Sequence, residues 1–503
     1  MDKKNNAGAI ASNAGDDFHI IWACKKLLEI LKPNSELTAI SVEGPTWEDS
    51  IRIENEQKLY SIDLAEYYGG DRFELAQRVV FSQLKYSAYQ MEKPWTAANL
   101  CASTNGSNSI IRRLADTYGG FCEKYENVQK KLILKLVSNR KLQTVFSDHI
   151  DECTTILREK KYKRVGDLVK NLSPKCKEDI NKIYKTSKLS SASFIKFLLL
   201  LNFDDCGTNI RSIHRAEIIK QLGNWNISNL RGRYNSLIMH LREMMLPEKP
   251  IGFPMNREYV LAALDTSIYQ AFPAPIKIDS TLNVYIERDF GSEILRYIQE
   301  NQKKIICLQA AAGVGKTTFV NNIQNVLPKE SIAILYDCYG GGSFLQPGER
   351  RHLTEVAIPQ ICNTLATECG TEWMIGRPSK EYEYWRFLSE RLEKAVSYVR
   401  QQNPLAIVAI IIDAADNSMV AANYFKEECF LQGLLNQSLP NGVCLIVTTR
   451  TERRYLIPFE DELKTFDLPP FELPESSQHI RSVFWNATDS QCNEFHILTD
   501  PLC

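Results

Sequence analysis

Residues 305–317 read I-I-C-L-Q-A-A-A-G-V-G-K-T. The apolar run Ile305–Leu308 reads as a strand that feeds a glycine loop closing on Lys-Thr. Backbone N–H groups of such a loop wrap phosphates, its lysine reaches the outer phosphates, and its threonine hydroxyl ligates Mg²⁺. Thr318 to Ile323 can open a helix whose N-terminus adds positive dipole beneath the same phosphates. The expected nucleotide-binding residues are therefore Gly313, Val314, Gly315, Lys316, Thr317 and Thr318. The first glycine position of the usual G-x-x-x-x-G-K-[ST] pattern holds Ala310, which is small but resists positive φ.

Downstream, Ile332–Tyr336, Leu405–Ile412 and Cys444–Thr448 are further apolar runs separated by helical patterns. Continuous apolar strands of this kind predict a parallel sheet covered on both faces. Asp413 ends the third strand, at the carboxyl edge where open α/β sheets bind ligands. There it can share an Mg²⁺ shell with Thr317. Asp416 is placed to orient an attacking water. Arg450, at the end of the fourth strand, reads either as a γ-phosphate sensor or as a surface arginine.

These segments together resemble the STAND class of P-loop NTPases, the NACHT/NLR-like signalling ATPases. Asp413-Ala-Ala-Asp416 resembles their D-x-x-D-[DE] motif, and Thr448-Thr449-Arg450 their T-[ST]-R strand. Leu468–Leu473 resembles the link into their helical lid, and Arg288-Asp289-Phe290 their lead-in segment, which adds Arg288 to the nucleotide-binding set. The likeness covers roughly residues 285 to 480. It implies ATP and Mg²⁺ as cofactors and a switch whose assembled state is a homo-oligomer, a tetramer by resemblance. Asn417 stands where the family often has an acid, so slow turnover is expected, with Asp416 the only water-polarising carboxylate.

A chain of 503 residues exceeds one ordinary core, so two to four domains are expected. The net charge of −1 gives no global pull toward nucleic acid. The 14 cysteines show no C-x-x-C pair, which fits free thiols in a reducing cytoplasm. The N-terminus lacks a signal-peptide core, and the longest apolar runs, Phe197–Leu201 and Leu405–Ile412, fall far short of the roughly 20 residues that span a bilayer. No membrane partner is expected.

The first unit is expected over residues 1–145 as a small α/β domain. Asp16–Leu31 carries Phe18, Ile21, Trp22, Leu27, Leu28 and Leu31 at helical spacing. Leu37–Val42, Asp49–Ile53, Lys58–Tyr68, Val79–Lys85 and Lys131–Val137 read as strands, with a polar helix near Arg72–Arg78. Residues 146–280 read as a helical connector. Within it, Lys160–Arg164 is a basic run, either a solvated helix end or a nucleic-acid contact. Residues 281–475 form the nucleotide domain, and 476–503 the start of a lid. With no closing element before Cys503, the chain is expected to be a piece of a longer protein.

Gln83 and Lys85 alternate on one strand and project to one face. Glu43, Asp49 and Asp63 supply acids nearby in sequence. Metal-dependent phosphodiester cleavage needs carboxylates for Mg²⁺ and a lysine to position water or neutralise charge. The order Gly15–Phe18, Val42–Gly44, Glu48–Ile51, Ser82–Lys85 resembles the PD-(D/E)xK nuclease superfamily in its Q-x-K variant, as in Mrr-like, restriction-endonuclease-like domains. The resemblance implies Asp63 or Asp49 as the main metal ligand, Glu43 and Gln83 in support, and Lys85 as catalytic. It implies double-stranded DNA as substrate and, as in the AVAST group of bacterial defence ATPases, activation by a phage protein through a C-terminal sensor absent from this chain. Two other readings stay open: an NTP-switched scaffold whose first domain only binds a partner, and a restriction-type DNA-processing ATPase.

Overall fold

Along Leu132–Ser138, Leu132, Leu134 and Leu136 are buried while Ile133 and Lys135 are half-buried, the period-two pattern of a strand with one face on a core. The computed structural model describes residues 3–51, 62–103, 109–246, 248–250, 252–278, 285–301, 305–458 and 463–499, with side chains from residue 10 onward. The expected strand portions at 52–53 and 58–61, the turn at 54–57 and the last residues, 500–503, lie outside the described residues. Backbone contacts divide the chain into two units, residues 1–223 with 229–266 and residues 224–228 with 267–503.

The first unit holds a six-stranded sheet in the order β5-β4-β3-β2-β1-β6. Its strands are β1 Leu37–Val42, β2 Leu64–Tyr68, β3 Arg78–Lys85, β4 Leu132–Ser138, β5 Leu201–Asn202 and β6 Met255–Asn256. Strands β1, β2 and β3 pair antiparallel, and β3 pairs with β4 in parallel. A parallel step needs a crossover, and helices Ala97–Cys101 and Ile110–Lys124 lie between β3 and β4 in the chain. Ala65, Tyr67, Val79, Phe81 and Leu134 share one apolar core with helices from Ala97 through Leu198. The helices of the expected 146–280 connector thus do not stand apart: those up to Ala263 belong to the first unit, and Ile268–Ala271 to the second. Helix Lys3–Glu29 packs against β1 and β3.

Two local expectations are corrected. Trp47–Ile51 is a helix, not the start of a strand; Glu48 and Asp49 in its first turn favour the helix N-terminus. Residues 71–77 make turns rather than a helix, with Arg72 drawn into an ion pair with Glu48 at 2.5 Å.

The second unit holds five parallel strands in the order β11-β7-β10-β9-β8. They are β7 Ile305–Ala310, β8 Ile332–Asp337, β9 Val408–Asp413, β10 Val443–Arg450 and β11 Lys464–Asp467. Every residue of β9 is buried, as a strand covered on both faces requires. Helices Thr354–Cys369 and Glu381–Gln402 cover one face, and Phe290–Glu300 with Lys316–Asn321 the other. Register places Asp337 beside Asp413 and Arg450 beside Ala310, so the ends of four strands, three of them charged, meet at one edge. No disulfide joins the described cysteines, and no helix among the described residues is long and apolar enough to cross a membrane.

Candidate functional site

The glycine loop leaves β7 at Ala310 and enters helix Lys316–Asn321. Gly313 and Gly315 adopt φ of 88° and 93°, the left-handed region that glycine enters at little cost. Ala310 ends β7 without a positive φ, so the missing first glycine puts no strain on the loop. Lys316 Nζ donates to the carbonyls of Ala310 and Ala311, each at 2.8 Å, which arches its ammonium over the loop. Burial pulls that ammonium below its ordinary pKa, partly offset by Asp416 and Asp413.

Thr317 Oγ1 donates to Asp413 Oδ2 at 2.8 Å, and Thr448 Oγ1 donates to Asp413 Oδ1 at 2.6 Å. Burial pushes the Asp413 carboxyl up, against the pull of those two hydroxyls. A hydroxyl and a buried carboxylate in contact beside a phosphate loop are the oxygen pair that suits Mg²⁺. Thr448 Oγ1 also accepts from Ala414 N–H at 2.7 Å, where the chain turns with φ of 53°. That turn delivers Asp416 to the start of helix Ala415–Phe425.

Asp416 is 1% exposed and pairs with Arg453 at 3.3 Å, and the same guanidinium nitrogen donates to Asn417 Oδ1 at 3.2 Å. Burial raises the Asp416 carboxyl, with Arg453 and then Arg450 opposing. Lys316, Thr317, Asp413, Asp416 and Arg450 line one cavity of about 490 Å³. Asp337 and Lys277 line it as well. Neither these two nor Arg453 was singled out from sequence; Arg453 repeats the charge of Arg450 three positions on, the one signal present.

Arg288 lies elsewhere. It does not line the Lys316 cavity but a smaller one, of about 180 Å³, that shares Gly313 and Gly315 and also takes in Val314, Thr318, Phe471 and His479. Its guanidinium donates to Val314 O at 3.3 Å and to Pro469 O, and sits 4.8 Å from the centre of the Phe471 ring. It thus ties the loop to the segment after β11.

In the first unit, the register brings four expected residues, Glu43, Asp63, Gln83 and Lys85, to adjoining strand ends. One step past the Val42–Leu64 pair, Glu43 N–H donates to Asp63 O at 3.1 Å. Asp63 N–H in turn donates to Ser82 O at 3.0 Å, beside Gln83. Asp63 Oδ2 accepts from Leu84 N–H at 2.6 Å and from Lys85 Nζ at 3.4 Å. Gln83 is buried. His19, unforeseen, contacts Leu84 O at 2.8 Å through Nε2 and stands 3.9 Å from Asp63. Burial pushes the Glu43 carboxyl up to about 7, with Asp63 adding to the rise and Lys85 opposing it.

Asp49 does not join this group. It is 1% exposed and accepts from Tyr67 Oη at 2.8 Å, Tyr125 Oη at 2.7 Å and Phe73 N–H at 3.1 Å. Its lone pairs are spent inside the fold, so of the two aspartates left open by sequence, Asp63 is the one beside Lys85. Among the described residues no group of three or more His, Cys, Asp or Glu side chains gathers as a metal site.

A parallel sheet of order β11-β7-β10-β9-β8, a phosphate loop after its second strand in that order and a buried acid after β9 define a P-loop NTPase domain. Residues 304–487 match the NACHT domain family, so this part of the chain carries a NACHT-type P-loop NTPase, a fold that supports nucleotide binding and hydrolysis. Among solved structures, the walker-type ATPase paby2304 of Pyrococcus abyssi is 16% identical, with a TM-score of 0.30, over 45% of this chain and 66% of that one. The Aeropyrum pernix ORC1 protein in complex with DNA is 16% identical, TM-score 0.25, over 43% of this chain and 52% of that one. Cdc6p from Pyrobaculum aerophilum is 10% identical, TM-score 0.23, over 42% and 52%. This chain therefore spans less than two thirds of each of these proteins. No curated protein matches it.

Proposed function

We propose that the chain is an ATP-gated, Mg²⁺-dependent DNA endonuclease of bacterial anti-phage defence, in which nucleotide-driven oligomerisation switches on the N-terminal unit. In this reading residues 1–145 supply the cutting site, the helices up to Ala263 complete the same unit, 281–475 bind ATP, and 476–503 begin a lid. The carrying observation is the alignment of Glu43, Asp63, Gln83 and Lys85 at adjoining strand ends in a chain that also carries a NACHT domain.

The residues at each site suit their group. At the phosphate loop, Gly313 and Gly315 leave backbone N–H groups free of Cβ crowding, Lys316 supplies charge, and Thr317 with Asp413 would hold Mg²⁺. Asp416 would orient water, held in place by Arg453. In the first unit the Glu43 carboxyl is raised first by burial and then by the Asp63 charge, and a bound cation would offset both. Glu43, Asp63 and Gln83 would hold Mg²⁺ there. That ion would supply Lewis-acid activation of a phosphodiester. Lys85, anchored on Asp63, stands where it can neutralise charge developing on the phosphate.

The test is degradation of linear and circular double-stranded DNA with Mg²⁺ and ATP. Cleavage should vanish in Lys85→Ala and Lys316→Ala and persist in Asp49→Asn at temperatures where that variant stays folded. Cleavage surviving in Lys85→Ala would refute the nuclease assignment. A second reading, an NTP-switched scaffold, is favoured by the lack of a three-acid group among the described residues. It expects nucleotide-dependent assembly with no cleavage at all.

A further inference from the structure

We propose that Lys277 is an additional ligand for the terminal phosphate of the nucleotide, held in reserve by Glu349. The inference rests on reading the Lys316 cavity as the ATP site. Lys277 comes not from the sheet or its loops but from the strap that precedes β7, and it lines the same cavity as Lys316, Thr317 and Asp413.

The strap backbone is pinned at three points. Ala274 N–H donates to Gln360 Oε1 at 3.0 Å, Pro275 O accepts from Arg351 Nη2 at 2.9 Å, and Lys277 N–H donates to Asp337 Oδ2 at 3.1 Å. The anchors are themselves fixed. Arg351 and Asp337 are each 1% exposed, and Arg351 Nη1 also donates to Asp337 O at 2.9 Å. The other Asp337 oxygen accepts from Tyr339 and Gly340 N–H, both at 2.9 Å. Gly341 faces the strap with φ of 63°, and a Cβ there would lie 3.5 Å from Lys277 Cβ. With the described strap backbone held at these points, the lysine side chain can change partners without disturbing it. That side chain is 40% exposed and pairs with Glu349 at 2.5 Å, with Ser343 Oγ at 3.3 Å.

Sheet order decides which phosphate Lys277 meets. The phosphate loop follows β7, and the small Arg288 cavity lies with the segment after β11, its neighbour on one side. Lys277 sits at the end of β8, on the far side of β10 and β9. A triphosphate whose inner phosphates rest on the loop extends its last phosphate toward that end, past Asp413. A mobile ammonium exchanging one carboxylate for a phosphate needs little reorganisation, because the donor is already charged and the backbone already ordered. Nucleotide with three phosphates would then pull Lys277 from Glu349, whereas a diphosphate would leave that pair intact.

Calorimetric titration of the full chain with Mg·ATP and Mg·ADP tests this in wild type, Lys277→Ala, Lys277→Arg and Glu349→Gln. Lys277→Ala should lose about 10-fold or more in ATP affinity while ADP affinity stays within about 2-fold. Lys277→Arg should recover most of the loss, and Glu349→Gln should bind ATP more tightly than wild type. Unchanged ATP affinity in Lys277→Ala, or equal losses for both nucleotides, would overturn the proposal. A wild-type chain that binds neither nucleotide would instead sink the reading of the cavity, and this assignment with it.

Discussion

Glu43 and Asp63 leave neighbouring strand ends together, joined by the Glu43 N–H to Asp63 O hydrogen bond of 3.1 Å. Burial and the Asp63 charge lift the Glu43 carboxyl from an ordinary 4.5 to about 7. The folded chain therefore holds this proton more tightly than the unfolded chain. The group's contribution to stability falls as pH rises from 4.5 through 7, and the penalty is complete above that. Thermal melts from about pH 5 to pH 8 should show this decline in wild type and a smaller one in Glu43→Gln. Mg²⁺ affinity should move the opposite way, weakening up to about 10-fold per pH unit below 7 as the proton competes. Mg²⁺ titrations at the two ends of the range check it; a pH-independent affinity would count against Glu43 as a ligand.

Asp49 makes the contrasting case. Four donors, from Tyr67, Tyr125, Phe73 N–H and Thr46, converge on a carboxylate that is 1% exposed. Asp49→Ala removes the carboxylate to which Tyr67 and Tyr125 donate, and should cost about 2–4 kcal/mol of stability. Denaturant unfolding measures it. A stable Asp49→Ala chain that has lost Mg²⁺ binding would return Asp49 to the metal site.

At the phosphate loop, Lys316→Ala should weaken ATP binding about 100-fold or more, because a charged, partly desolvated contact is lost. Asp413→Asn should keep metal-free nucleotide binding while losing the increment that Mg²⁺ adds. Fluorescent-nucleotide titration with and without EDTA separates the two effects.

Arg453 bears on turnover. Its pairing with Asp416 at 3.3 Å favours the ionised carboxylate against burial. Removing the cation in Arg453→Met should raise the Asp416 carboxyl further. The acid limb of the ATPase pH–rate profile should then shift to higher pH by about 1 unit. Asp416→Asn should abolish turnover with ATP affinity intact. A phosphate-release assay across pH reads both.

The nucleotide domain was legible because its signals are local. A glycine loop, a strand ending in Asp413 and a strand ending in Arg450 each announce themselves within ten residues, and the parallel sheet only has to bring them together. Lys277 was invisible for the opposite reason: its place depends on Arg351, more than 70 positions away, and no pattern ties the two. In the first unit, alternation located β1, β3 and β4 but could not separate Asp49 from Asp63. That choice depends on where the Tyr67 and Tyr125 hydroxyls point, which only tertiary packing decides. The Trp47–Ile51 segment misled because apolar spacing over five residues serves a short helix as well as a strand.

Strand β6 closes one margin of the six-stranded sheet, pairing Asn256 with Ala39 and Met255 with Ile40. At the opposite margin, β5 lies against β4. A fragment ended near residue 145 would strip both flanks at once. Bare margins recruit other chains through their unpaired amides and carbonyls, so such a fragment should clump rather than report on cutting. Trials of the N-terminal unit by itself should therefore extend through residue 266, where its backbone contacts end.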